Sequence, residues 1–325
     1  MRDKKMNGKL IKQLAAIFLL IAVFLAFNLG IYFNFTYRYM DKSSQIMQEQ
    51  SIELDKYLPF DDNSQIIKLD SEYKLAGNLP VLDGATALLP IYSAFVNSLY
   101  PKESVEFNGL DFTGSSRLQK TGTGSAYKAI VDGSADIIFV AKPSQAQIEY
   151  AESMGVELAY VPFGYEAFVF IVNSGNFIES LTSEQIRGIY SGQYKNWRDI
   201  GGEKTPIIQV QRVDGSGSQT AMVSFMQDTP LMKRPTSIVG RAIGYSFRFY
   251  VSDLAGKEQL KMIAVDGIYP SEENIRNGSY PITDCFYAVY RVDNQNENIP
   301  RLIDWILSEE GQYIVEKTGY IPIND

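Results

Sequence analysis

The sequence predicts an α/β protein carried behind a membrane-spanning helix. Three observations predict it: one long uncharged apolar run near the N-terminus, an alternation of β-rich and helical patterns from Leu79 onward, and small polar loops joining several of those strands to the helices that follow. At 325 residues the chain exceeds an average domain of about 100–200 residues, so two lobes or a domain with appendages are expected.

The apolar run comes first. No charged residue falls between Lys12 and Arg38. As a helix, Leu14–Phe35 (LAAIFLLIAVFLAFNLGIYFNF) would span about 33 Å, close to the ~30 Å hydrocarbon core of a bilayer. A cleaved signal usually has an apolar stretch of about 7–15 residues, and no small-x-small cleavage site follows this longer one, so it reads as an uncleaved anchor. Residues 1–40 hold six bases against Asp3. The bases cluster before the helix and Tyr32, Tyr37 and Tyr39 lie at its far end, which places the N-terminus in the cytoplasm and the body outside. Residues 1–13 are then a basic cytoplasmic tail, 14–35 the transmembrane helix, and 36–75 a polar, partly helical stalk.

From Leu79 the pattern repeats: LPVL then PIYSAFVNSLY, ADIIFVA then SQAQIEYAESMG, EAFVFIVN then TSEQIRGIYSG, PIIQVQR then SQTAMVSFMQ. Strands alternating with helices indicate parallel or mixed sheets with crossover helices. IIFVA and FVFIV are continuous apolar runs, as expected of strands covered on both faces. Trp197 and Trp305 sit at core-like spacing, and Glu166 is expected at the surface.

Composition excludes several function classes. With no histidine, Ser-His-Asp and Cys-His catalysis and histidine metal sites are removed; the single Cys285 removes zinc-cysteine clusters and internal disulfides. Its apolar setting, DCFYAVY, suggests a buried thiol. Residues 41–325 carry 24 bases against 37 acids, a net −13, so the basic stripe that a nucleic-acid partner needs is absent. No metal or cofactor is expected, and no catalytic residue is assigned.

Three joints share one grammar of strand, small polar loop and helix: Leu82-Asp83-Gly84-Ala85-Thr86, Thr121-Gly122-Thr123-Gly124-Ser125, and Arg212-Val213-Asp214-Gly215-Ser216-Gly217-Ser218. Each sets backbone N–H groups and hydroxyls at a helix N-terminus, where unpaired donors and the positive end of the helix dipole favour an anion. Taken singly, such loops also serve as caps and turns, with Thr86, Ser125 and Ser218 as the caps. Together, with Arg212 ending one strand and Asp214 able to hold its guanidinium, they point to an oxyanion site.

These segments resemble the phosphate-binding proteins of ABC phosphate importers, within the type II periplasmic-binding-protein superfamily. The likeness runs from about Leu79 to Pro322. It rests on GATALLPIY (84–92), TGTGSAYKAIVDGSADIIFVAKPS (121–144), AFVFIVN (167–173), SLTSEQIRGIYSGQYKNWRDIGG (180–202), RVDGSGS (212–218), AIGYS (242–246) and TGYIPI (318–323).

The resemblance implies a two-lobed type II periplasmic-binding-protein fold behind an N-terminal transmembrane helix. Lobe 1 would take 76–165 and 287–325 and lobe 2 would take 166–286, joined by two crossing strands and closing on a tetrahedral oxyanion. The family's oxyanion donors fall on Thr86, on Thr123 with Thr121 or Ser125 as alternatives, and on Arg212, Ser216, Gly217 and Ser218, with Asp214 orienting Arg212. The implied partners are inorganic phosphate or a similar oxyanion, an ABC permease, and the membrane through the N-terminal helix. In one respect the chain departs from the pattern: where phosphate-specific members often keep a carboxylate after the ADIIFVA strand, it reads Val140-Ala141-Lys142-Pro143. A membrane-anchored sensor or interaction module on the same fold is the alternative. A hydrolase built on Ser216 or Ser218 has no histidine to activate it, and a pairing with Lys142 has no motif behind it.

Overall fold

The computed structural model describes residues 8–41, 46–47, 53–233, 240–254 and 259–323. Helix α1 (Gly8–Asp41) contains the apolar stretch Lys12–Asn34, with a mean hydropathy of 2.7 and exposed side chains. It is long and apolar enough to cross a membrane. Of the bases expected ahead of it, Arg2, Lys4 and Lys5 lie outside the described residues, as do the side chains of Tyr37 and Tyr39.

The chain then forms β1 (Ile46–Met47), β2 (Leu82–Gly84), α2 (Leu89–Leu99), α3 (Thr123–Asp132), β3 (Ile137–Ala141) and α4 (Gln145–Ser153). Next comes β4 (Leu158–Asn173), followed by β5 (Ser180–Leu181), α5 (Ser183–Tyr190), β6 (Ile207–Gln209), β7 (Gln211–Arg212) and α6 (Gly217–Met226). β8 (Arg241–Phe247), β9 (Leu260–Met262), β10 (Ala264–Val265), α7 (Glu272–Arg276), β11 (Thr283–Arg291), α8 (Asn298–Ile306), α9 (Glu309–Thr318) and β12 (Ile321–Pro322) complete it.

The main sheet runs β2-β3-β11-β4-β8-β6, and β4 is its long member. Its first half pairs antiparallel with β11, its second half with β8 and β9, so one strand serves two halves of the molecule. The apolar run Ala167–Val172 is fully buried there, as its sequence requires. The strand begins eight residues before the expected start at Glu166, and the boundary expected between 165 and 166 falls inside it.

Separate cores form on the two sides. One gathers Leu88, Phe95, Phe139, Phe163, Leu302 and Trp305; the other gathers Phe170, Ile186, Tyr190, Trp197, Met222 and Tyr245. Burying an aliphatic or aromatic side chain of this size contributes roughly 1.5–3 kcal/mol, so each half has its own means of cohesion. Both tryptophans are buried as expected; Trp197 Nε1–H donates to Arg241 O (3.0 Å) and Trp305 Nε1–H to Glu310 Oε2 (2.7 Å).

Part of the segment expected as a polar stalk packs onto the body: Ile66 and Leu75 are buried in the first core, with Leu54, Leu58 and Phe60 packed against it. These apolar residues have no helical or strand period, so the sequence pattern does not reveal their burial.

Candidate oxyanion site

The three polar loops converge. A cavity of about 500 Å³ lies where they meet, lined by Ala85 and Ala87, by Thr121–Ser125 and by Arg212–Ser218. The first two loops are tied to each other by Asp83, which is buried. Its carboxylate accepts from Gly84 N–H (2.7 Å), Thr121 N–H (2.8 Å) and the Thr121 hydroxyl (2.6 Å), and Gly122 N–H donates to Gly84 O (3.1 Å). Burial raises the pKa of Asp83, and the bonds from Thr121 oppose that rise. Sequence reasoning left Asp83 out of the donor set; here it positions the second loop.

Helix α3 begins at Thr123 after Gly122, whose φ of 85° is a left-handed value that suits glycine. Helix α6 begins at Gly217, capped by Ser216, whose Oγ accepts from Gln219 N–H (3.2 Å) while its hydroxyl donates to Val213 O (2.9 Å). The Ser216 side chain thus bonds within the loop, while the residue also lines the cavity. Ser216 also takes the Thr220 N–H through its carbonyl oxygen (3.0 Å), which leaves Gly217 and Ser218 as the N–H donors at the helix start. Ser125 and Ser218 sit within their helices, not at the cap positions.

Arg212 is the unusual member. It is 6% exposed, yet Nε and Nη1 have no hydrogen-bond partner. Its guanidinium lies over the Tyr250 ring at 5.8 Å, and its backbone N–H is held by Gln219 Oε1 (3.1 Å) and Tyr245 Oη (3.2 Å), which are bonded to each other. Burying a cation with two unpaired donors costs free energy, and an anion placed beside them would offset that cost. Asp214 does not complete it: the residue is exposed and forms no ion pair with Arg212 among the described residues, contrary to expectation. Thr86 is buried and opens the 3-10 turn before α2, while its neighbours Ala85 and Ala87 line the cavity.

Ala141 closes the far wall. It is buried at the end of β3, and Tyr127 donates its hydroxyl to Ala141 O (3.0 Å). A second cavity of about 780 Å³ adjoins across Ala141 and Gly217 and reaches Lys142, Glu166 and Cys285. Lys142 is exposed there. Glu166 is buried, not at the surface, and accepts from Ala167 N–H (2.8 Å) and Phe249 N–H (3.2 Å); burial pushes its pKa up to about 7. Cys285 is half-buried, not enclosed, and burial raises its thiol pKa. Ser246, from the AIGYS segment, lines the first cavity and is buried, a site member that its motif signalled without assigning a role.

Residues 81–310 match the model of the PBP superfamily domain. The chain is 23% identical to the phosphate-binding protein PstS of Bacillus subtilis over 78% of this chain and 83% of that protein. It is 27% identical to PstS of Borreliella burgdorferi, over half of this chain and 64% of the other. Among solved structures, it superposes with a TM-score of 0.58 and 27% identity on a Clostridium perfringens protein described as a phosphate ABC transporter substrate-binding protein with bound phosphate, covering 75% of this chain and 98% of that one. A phosphate transport receptor from Vibrio cholerae, at 22% identity and a TM-score of 0.56, shares the fold. Two cores served by one long strand, with polar loops converging between them, are thus arranged on a known plan, and the chain belongs to the PBP superfamily.

Proposed function

We propose that this chain is a solute-binding protein that captures phosphate or a related tetrahedral oxyanion outside the cytoplasmic membrane and delivers it to an ABC importer. The observation that carries the reading is the buried Arg212 guanidinium, with Nε and Nη1 unpartnered, beside the N-termini of α3 and α6. Charge-assisted bonds from that guanidinium, with N–H groups at the helix starts, would replace the water an oxyanion gives up on entry. The PstS relatives and the phosphate-bound structure support phosphate as the first ligand to test.

On this reading the protein binds and releases without making or breaking a bond. The Ser216 hydroxyl donates to a backbone carbonyl rather than to a base, and Lys142 lines the neighbouring cavity rather than that of Arg212. The N-terminal helix would anchor the body to the outer face of the membrane, where a permease can be reached by diffusion in two dimensions.

Calorimetric titration of the protein with phosphate, sulfate, molybdate and arsenate tests the function. Saturable heat with phosphate is expected. Heat from none of the four would contradict oxyanion capture and favour a sensor or interaction module on the same fold.

A further inference from the structure

The cavity that holds Arg212 is larger than a small oxyanion requires, and the two walls already touch. Gln147 Nε2–H donates to Gly215 O across the cleft (3.4 Å), and a Cβ on Gly124 would meet the same oxygen at 3.5 Å. A Cβ on Gly217 would lie 3.1 Å from the Ala141 methyl. The space of about 500 Å³ is therefore what remains with the walls in contact, not the gap of an open jaw. A water takes about 30 Å³ in the liquid, so an anion of five heavy atoms of that size fills less than about a third of it. Cavities of about 300–1,000 Å³ ordinarily hold organic ligands.

The lining fits such a ligand. Beyond the anion donors it includes Tyr150 and Val213, both exposed at its mouth, and the buried Tyr250. Asp214 is the only acid among the described lining residues, and it is exposed. The nearby carboxylate of Asp83 already accepts three hydrogen bonds from Gly84 and Thr121 and does not line the cavity. No buried acceptor therefore requires a proton on the fourth oxygen of the bound group, and an ester oxygen, which carries none, is admitted at no electrostatic cost.

We propose that the site takes phosphate monoesters, with the phosphoryl oxygens on Arg212 and the helix N-termini and a ring-sized organic group against Tyr150 and Val213. This rests on the oxyanion reading above. The test titrates the full chain in detergent with inorganic phosphate, glycerol 3-phosphate and phenyl phosphate, then repeats it with Ala146→Trp, an exposed position one helical turn before Tyr150 on α4. Phenyl phosphate is expected to bind within about tenfold of inorganic phosphate, and the tryptophan to weaken phenyl phosphate at least about tenfold while changing inorganic phosphate much less. If inorganic phosphate binds and both esters are more than about a hundredfold weaker, the monoester proposal falls and the oxyanion reading stands. If none of the three binds, both fall. If phenyl phosphate binds but Ala146→Trp affects it no more than phosphate, the placement of the organic group is overturned.

Discussion

Gly217 stands against Ala141 across the cleft, so close that a Cβ built on Gly217 would lie 3.1 Å from the Ala141 methyl and 3.3 Å from Phe247 Cε2. The first residue of α6 and the last of β3 thus define how near the two walls come, and with them the donors of one helix start approach the other wall. Gly217→Val is expected to push α6 outward. Overpacking costs about 1–3 kcal/mol, which read through binding is a loss of phosphate affinity of roughly 5- to 150-fold. Thermal unfolding and titration of the same variant check it: a large loss of affinity with a small change in melting temperature is the expected pair.

The same contact bears on the selectivity of the proposed site. Ala141 places a methyl at the cavity wall where an acid would be an ionised acceptor. Without one, sulfate should compete with phosphate more nearly equally than in a site that has a carboxylate, because nothing repels an anion lacking a proton. Ala141→Asp should disfavour sulfate. Competition titration of both proteins at pH 6 and pH 8 measures this, and strong rejection of sulfate by the unmodified chain would contradict it.

Glu166 makes a pH prediction whose sign follows from burial. Its pKa rises from 4.5 to about 7 because the carboxylate is removed from water, and two backbone N–H bonds and Arg248 only partly offset this. Between those values the folded chain holds a proton that the unfolded chain releases, so stability falls as pH rises from about 4.5 through about 7. The full effect is on the order of 3 kcal/mol. Glu166→Gln removes the titration while adding a constant cost at Phe249 N–H, so its denaturant midpoint should decline less than the parent's between pH 5 and pH 8. Parallel declines would show that Glu166 is ionised in the fold across that range.

How far the sequence foretold this molecule depends on the range over which each feature is encoded. The polar loops were legible because strand, glycine-rich loop and helix start are contiguous, as in Thr121–Ser125 and Arg212–Ser218. The network around them was not. Asp83 meets Thr121 at 38 positions' separation, and Tyr245 meets Arg212 at 33. The early half of β4 was hidden by Pro162, which supplies no ladder N–H; the strand accommodates it at a register shift opposite Phe286 and Tyr287, leaving Phe163 free to fill the first core. Asp214 misled for the opposite reason: a single residue separates it from Arg212, but the turn at Gly215, with φ of 80°, leaves it exposed without an ion pair to the guanidinium.

The anchor has its own test. The uncharged length of Lys12–Asn34 suits a bilayer, so mass analysis of the mature protein should find this stretch still attached and the protein in the membrane fraction. A mature start between Thr36 and Lys42 would show a signal sequence instead.

Arg212→Ala removes the buried cation on which the proposed oxyanion site rests. Removing the charge-assisted donor should weaken phosphate binding by about 2–5 kcal/mol, roughly thirtyfold or more in Kd. Stability without ligand should hold or rise, since Nε and Nη1 have no partner to lose. Titration of parent and variant with phosphate, beside their melting temperatures without ligand, gives both values. Lost affinity with an intact fold is the predicted result; a variant that binds phosphate as the parent does would contradict the account and place the anion elsewhere.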